Sequence, residues 1–414
     1  MSLREEFMRM TFVGAMLLLA ACGGDTRPAE RTEVHGSPRL TEPRAIAAPA
    51  APGSSQPNLA AAPDGRVYLS WTEPRPDSAH ALRFSVLEGG RWSEPRTVAE
   101  GRGWMVNWAD FPSLVVMADG RMAAHWLHRL PAGGHAYEVR LARSGDGGRT
   151  WGPAVVPHRD GTSAEHGFVS LYPAGGDSLG VIWLDGRKYA GRGENDPAGE
   201  TQVMATTLAA DGGMPAESPL DGRACDCCQT SVAVTAGGPL LVYRDRTADE
   251  IRDIYTVRRV NGRWTEPRPV HPDGWRIEAC PVNGPSVAAE GRRVAVAWFT
   301  AARDTPRVLV AFSEDEGASW SAPARVDDGT PAGHASVQLA GDGALVSWIE
   351  RGEGGKSELR VRRVGGAGAR SEARTLAGVP ERSVPRMMRD SGGVVFAWSE
   401  AGRVHTARME IAGR

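Results

Sequence analysis

Three cysteines fall within four residues, at Cys225-Asp226-Cys227-Cys228, and Cys280 follows in a later loop. Sulfur at this density supports two chemistries. The thiols can close disulfides. Four allow three pairings, and a bridge from Cys280 back to the Cys225–Cys228 run is sterically the easiest. Alternatively, thiolates hold a soft metal ion, with copper(I) and zinc(II) as the candidate cofactors. One bridge would leave two thiols, so a mixed site is also open. His166, His271, His334, Met387 and Met388 are further candidate ligands on loops of the same face. No Cys-x-x-Cys-His run occurs, so the haem-attachment signature is absent.

A second group is charged. Asp185-Gly186-Arg187-Lys188-Tyr189, Arg244-Asp245-Arg246, Asp249-Glu250-Ile251-Arg252-Asp253 and Arg303-Asp304 each follow an apolar strand pattern. Asp110 and Glu165-His166 precede one. The candidate ligand-binding residues are therefore Asp110, His166, Asp185, Arg187, Arg244, Arg246, Glu250, Arg252 and Arg303. Arginines and carboxylates converging on one mouth would suit an anionic small molecule or a glycan, through bidentate contacts. The plainer reading is that these aspartates and arginines make ion pairs between blades and cap loops.

These loops must be positioned by something, and the chain supplies a repeat. Pro57 to Trp71 reads as a strand, a Pro-Asp-Gly turn and a second strand ending in an aromatic. The turn has a mechanism: glycine accepts positive φ and aspartate bonds its own backbone. The pattern recurs six more times. The closing aromatics are Trp71, Trp126, Trp183, Tyr243, Trp298, Trp348 and Trp398, spaced by 55, 57, 60, 55, 50 and 50 residues. A period of that size marks one supersecondary unit used repeatedly. A third strand follows each aromatic. Most units add a fourth, announced by signatures such as Trp92-Ser93-Glu94-Pro95-Arg96 and Trp264-Thr265-Glu266-Pro267-Arg268. The last unit lacks one, but Thr41-Glu42-Pro43-Arg44-Ala45-Ile46 carries the signature ahead of the first. The sequence therefore predicts an all-β, seven-bladed β-propeller of four-stranded blades, with six blades as the alternative. Its N-terminal strand should complete the last blade and leave only short sheet edges. A closed ring of this kind reads as a monomer.

A formal net charge of −2 gives no electrostatic case for nucleic acid or an anionic membrane surface. Arg4 and Arg9 precede an apolar run from Met10 to Ala21, too short to span a bilayer comfortably. It ends Leu19-Ala20-Ala21-Cys22, which resembles a bacterial lipobox. That resemblance implies a signal peptide over 1–21, lipidation of Cys22, and a cell-envelope protein at the outer membrane facing the periplasm. An ordinary secretory signal cut near Ala21 is the alternative. Residues 22–38 read as a flexible tether and 39–414 as the propeller. Membrane contact would come through the lipid alone.

Two turns, Ser144-Gly145-Asp146-Gly147-Gly148-Arg149-Thr150-Trp151 and Ser313-Glu314-Asp315-Glu316-Gly317-Ala318-Ser319-Trp320, match the Asp-box, Ser-x-Asp-x-Gly-x-x-Trp. Aspartate should cap the hairpin, glycine take the left-handed position and tryptophan wedge against the next sheet. Residues 41–414 thus resemble the sialidase-like, BNR-repeat propellers. The resemblance implies a fold, and a glycoside hydrolase if the chain is an enzyme. Sialidases use an arginine triad, a Tyr–Glu nucleophile pair and an aspartic acid, with the first arginine in Arg-Ile-Pro. Here that region is Pro43-Arg44-Ala45-Ile46, and no Tyr–Glu pair is assignable by motif, so no catalytic residue is carried over. The expected function is a lipid-anchored propeller binding a ligand or soft metal at its loop face, with a cysteine rim on blades four and five. An exo-glycosidase of sialidase-like type, with Arg187, Arg246, Arg252 and Arg303 on a substrate carboxylate, is one alternative. A structural platform for protein partners is the other.

Overall fold

A computed structural model describes residues 39–412, apart from 132, 135 and 193–198. The leader over 1–21, Cys22 and the tether lie outside the described residues. Seven antiparallel sheets follow one another along the chain. The inner strands are Ser55–Ala61, Ser113–Val116, His166–Pro173, Ser231–Thr235, Ser286–Glu290, Pro331–Ala340 and Arg386–Arg389. They line a central channel. Arg44–Ile46 pairs with Arg408–Thr406 and Arg39–Leu40 with Ala412–Ile411, so the N-terminal strand completes the seventh blade as expected.

Two details depart from expectation. Blade two has three regular strands, Ser113–Val116, Met122–Arg129 and Tyr137–Ser144, and its fourth shrinks to a single bridge, Leu141 to Val155. Pro153 and Pro157 flank that bridge and lack the N–H a ladder needs. Blade three lacks a tryptophan-led fourth-strand signature, yet it has a seven-residue outer strand at Ser218–Ala224.

The repeated aromatic is the wedge between blades. Trp183 packs with Ala123, Leu127 and Val139 of blade two, and Trp298 with Leu240 and Val242 of blade four. All seven interfaces hold one such aromatic against the preceding blade, and none of the seven exceeds 7% exposure. Each buries on the order of 150–250 Å². A Trp-x-acid pattern satisfies three of the indoles: Trp71 donates to Glu73 at 3.2 Å, Trp183 to Asp185 at 2.7 Å and Trp348 to Glu350 at 2.6 Å.

The Asp-boxes cap as anticipated. Asp146 Oδ1 accepts Arg149 N–H at 3.0 Å and Thr150 N–H at 2.9 Å, and Asp315 Oδ1 accepts Ser319 N–H at 2.9 Å. Gly317 has φ +78°, and a Cβ there would lie 2.2 Å from Leu240. The wedge direction is corrected: Trp151 meets Phe84 of blade one edge-on at 6.2 Å, and Trp320 packs with Leu240 and Val242 of blade four. Both face the preceding sheet.

Polar side chains stitch the inner strands around the ring. Asn58 Nδ2 donates to Pro112 O, Asp110 Oδ1 accepts Phe168 N–H, and Ser170 Oγ bonds Thr230 Oγ1. Ser231 and Ser286 accept Val287 N–H and Val337 N–H. Gln338 Nε2 donates to Met387 O, and Arg386 Nε donates to Asn58 Oδ1, which returns the circle to blade one. Every inter-blade step is crossed by at least one such bond.

Candidate functional site

The chain turns from blade three into blade four at Cys225. This cysteine is fixed by strand geometry, because its N–H donates to Arg244 O at 3.0 Å, on the second strand of blade four (Gly238–Arg244). Cys225 and Cys228 are fully buried, while Cys227 is half-buried and Cys280 exposed. Cys225 Sγ lies 3.1 Å from Cys228 Sγ and 3.9 Å from Cys227 Sγ. The ligand atoms of Cys225, Cys227 and Cys228 all fall within 4.8 Å of one another. Cys280, from the loop entering blade five, influences the ionisation of Cys225 and Cys227, but it is not one of the three sulfurs gathered within 4.8 Å. No disulfide links the four.

The electrostatics set Cys225 apart from the other three thiols. Burial opposes ionisation of Cys225, but hydrogen bonds from Cys227, Cys228 and Cys280, with the Arg252 charge, hold its thiol well below the ordinary range. Arg252 Nη1 is 3.3 Å from that sulfur. Hydrogen bonding to Cys225 pushes Cys227 up and raises Cys280 to about 12, and burial raises Cys228. Around the cluster, Arg252 and Arg246 share Glu250 at 2.9 Å each, and Asp226 is engaged by Tyr189 Oη at 3.2 Å and Arg246 at 3.4 Å. Asp226 is thereby turned to its own partners, and the donor set is sulfur.

The additional ligands expected for this site do not join it. His271 bonds Asp273 at 2.7 Å, His334 packs edge-on to Trp108 at 5.7 Å, and Met387 and Met388 line the channel. His166 belongs to a separate network on blade three. Its Nδ1 faces Ala164 O at 3.2 Å and its Nε2 faces Asp160 Oδ1 at 3.1 Å, so both ring nitrogens meet acceptors. Burial works against a charge there, yet the Asp160 hydrogen bond and the Asp185 and Asp160 charges outweigh it and raise the pKa. His158 stacks on His166 with ring centroids 3.7 Å apart. Its Nε2 accepts Val139 N–H at 3.4 Å, so Nδ1 carries the proton. Burial, then the His166 charge, lowers it to about 4. His158, Asp160 and His166 are close enough for a metal, but no imidazole lone pair faces the centre. This is a buried ion-pair network. Asp185 closes it, bonded to the Trp183 indole and twice to Arg187, which also reaches Glu217 at 2.7 Å.

The candidate arginines are dispersed among partners. Arg244 is buried, donates to the carbonyls of Asn283, Arg252 and Phe299, and lies 4.8 Å over the Trp275 ring. Arg303 is exposed in a short turn at φ +59°.

Asp110 enters a constellation that no local motif announced. Tyr137 Oη is 2.9 Å from Asp110 Oδ2 and 2.6 Å from Glu165 Oε1. One phenolic proton cannot serve two carboxylates, so one carboxyl must itself be protonated. Burial raises Asp110 to about 7, which makes it the holder of the extra proton. Its folded pKa lies above the unfolded value of 3.8, so Asp110 destabilises progressively from about pH 4 to pH 7 and levels above. The full penalty is on the order of 4 kcal/mol. Asparagine reproduces the protonated acid, accepting Phe168 N–H and donating to Tyr137. Urea unfolding of Asp110→Asn should match the parent only at about pH 3.5 and exceed it by a growing margin up to about pH 8. A variant less stable than the parent at pH 8 would show that Asp110 is ionised in the fold.

Comparison with solved structures agrees with the architecture. A Dyadobacter fermentans protein of unknown function superimposes with a TM-score of 0.51 at 15% identity, over 91% of this chain and 99% of its own. The polysaccharide lyase Uly1 gives 0.50 at 9% identity, over 86% and 90%. The NanB sialidase of Streptococcus pneumoniae gives 0.43 at 13% identity, over 86% and 68%. No family model and no curated protein matches the chain.

Proposed function

We propose that the protein is a lipid-anchored cell-envelope propeller that binds one soft metal ion, copper(I) or zinc(II), through Cys225, Cys227, Cys228 and Cys280. The observation that carries this reading is the gathering of three sulfurs within 4.8 Å of one another, one of which, Cys225, is held low by its neighbours. Tetrahedral thiolate sites around zinc need sulfur separations of about 3.8 Å, close to the Cys225–Cys227 distance of 3.9 Å. All-sulfur donors favour soft ions over magnesium or calcium. Arg252 stabilises the first thiolate. Binding would release protons from the other three cysteines, so affinity should rise with pH. Exposed Cys280 is the sulfur an incoming ion meets first. The basic residues, apolar run and Cys22 of the leader support anchoring at the outer membrane, facing the periplasm.

The test is metal analysis with thiol titration of the chain from residue 39, purified under reducing conditions and exposed to zinc or copper(I). One retained ion per chain, with thiols that react only after chelation, is the expected result. Four reactive thiols and no retained metal would sink it. A second reading rests on the 3.1 Å between Cys225 and Cys228 sulfurs, which an approach of about 1 Å would turn into a disulfide. The same titration then shows two free thiols and no ion. The exo-glycosidase alternative has the fold of Uly1 and NanB beside it, but Arg187, Arg246 and Arg252 are already paired with this chain's own carboxylates.

A further inference from the structure

The central channel holds a guanidinium that no carboxylate among the described residues pairs with. Arg386 opens the inner strand of blade seven, Arg386–Arg389, opposite Ala397, the residue before Trp398. The equivalent register position is serine in blades two to six, as at Ser286 opposite Ala297 and Ser336 opposite Ser347. In blade one it is Asn58. Arg386 therefore puts a guanidinium where the ring otherwise needs only a small hydrogen-bonding group.

Its surroundings do not neutralise it. Nε donates to Asn58 Oδ1 at 3.0 Å and the guanidinium lies 5.2 Å over the Phe111 ring. Among the described residues no carboxylate pairs with it, and desolvation alone lowers its pKa, to about 10. The channel cavity here is about 300 Å³, and its one acid is Asp110. Both Asp110 oxygens are turned away to Phe168 N–H and Tyr137 Oη. A mouth cavity of about 290 Å³, lined by Trp108, Arg382 and Phe111, adjoins it through Phe111. An arginine held in a protein wall is stabilised by a bidentate oxyanion partner, and its absence is costly. The Ser336 side chain lines the same cavity and can add a donor.

We propose that the channel at Arg386 is a binding site for one small oxyanion, a carboxylate, sulfate or phosphate group, either free or carried on a small ligand entering past Trp108. The guanidinium's Nη edge grips the anion, Phe111 keeps the guanidinium flat against the wall, and Asn58 sets its tilt through Nε. The site stands apart from the cysteines and does not depend on their chemistry.

Calorimetric titration of the protein with sulfate, phosphate, acetate and glucuronate, at constant ionic strength held with chloride, tests it. One saturable site is expected for at least one anion. Sulfate or phosphate binding identifies a free ion as sufficient, while glucuronate binding alone identifies a ligand-borne carboxylate. Arg386→Ser restores the residue found in blades two to six, so it should fold, and it should weaken binding at least about tenfold. Arg386→Lys keeps the charge without the fork and should fall between, which also covers the case of a serine variant that misfolds. Cys225→Ser should leave anion binding unchanged. No saturable binding of any of the four, or equal binding by both Arg386 variants and the parent, would overturn the site.

Discussion

Replacing Cys225 by serine should weaken zinc or copper(I) binding by about a thousandfold or more, the largest effect of any single cysteine substitution. Cys225 is the hub of the group. Its sulfur is 3.1 Å from that of Cys228 and 3.9 Å from that of Cys227. It is also the sulfur that faces Arg252 at 3.3 Å. Serine removes the thiolate, and a hydroxyl is a poor donor to a soft ion. It leaves Arg252 beside a neutral oxygen, but Glu250 at 2.9 Å still compensates the guanidinium, so the fold should survive. Cys280→Ser, on an exposed loop, should cost roughly ten- to a hundredfold by the same ligand-loss logic. Competition against a chromophoric chelator measures both. Equal losses from the two variants would show that Cys225 is no hub, and no loss from either would remove the metal site altogether.

The ring was legible because its signal is periodic and physical. A Pro-Asp-Gly turn between apolar runs and a closing tryptophan can recur every 50–60 residues only if one unit is reused. Loop order then followed, which is why Cys280 was expected beside the Cys225–Cys228 run; the sulfurs found within 4.8 Å are Cys225, Cys227 and Cys228, all from one loop. The blade-two edge was misjudged because Trp151-Gly152-Pro153 carries the right signature while its prolines deny the ladder its donors. Pairing of charges was not legible. Arg187 turns back on Asp185, two residues away, and Arg246 on Glu250, four away, and no spacing rule separates such local closure from a shared mouth. Tyr137 and Arg386 were missed for another reason. Their roles come from what three or more strands bring beside them, and nothing adjacent in the chain marks it. The strand register makes Arg386 the one charged residue at a position held by serine in blades two to six and asparagine in blade one, but the separation from the closing aromatic is 13 residues in the first three blades and 12 in the rest, so counting along the chain does not line them up.

Deleting residues 39–46 from the full chain should lower the stability of the ring by about 5 kcal/mol, a fall in Tm on the order of 10 °C. The strand they form is the outer wall of blade seven. Its loss unpairs Arg403–Ala412 along two stretches, opposite Arg39–Leu40 and opposite Arg44–Ile46. The Thr406 Oγ1 bond to Ile46 O at 2.8 Å and the reciprocal Thr41–Glu410 bonds at 3.0 and 2.9 Å go with it. Leu40 also leaves the cluster that holds Trp398 and Met409 between blades six and seven. A net contribution of about 1 kcal/mol for each of several hydrogen bonds, with about 1–2 kcal/mol for one half-buried leucine, gives the estimate. The exposed edge should also pair between molecules, because a strand with apolar residues and free N–H groups is a template for another chain. Thermal melts and size-exclusion chromatography read both effects. Glu42→Ala, which removes only a surface contact with Arg374, is the control and should change little. A deletion variant that melts within about 2 °C of the parent and stays monomeric would mean that the seven inter-blade aromatics hold the circle by themselves, without the strand that joins the two ends of the chain.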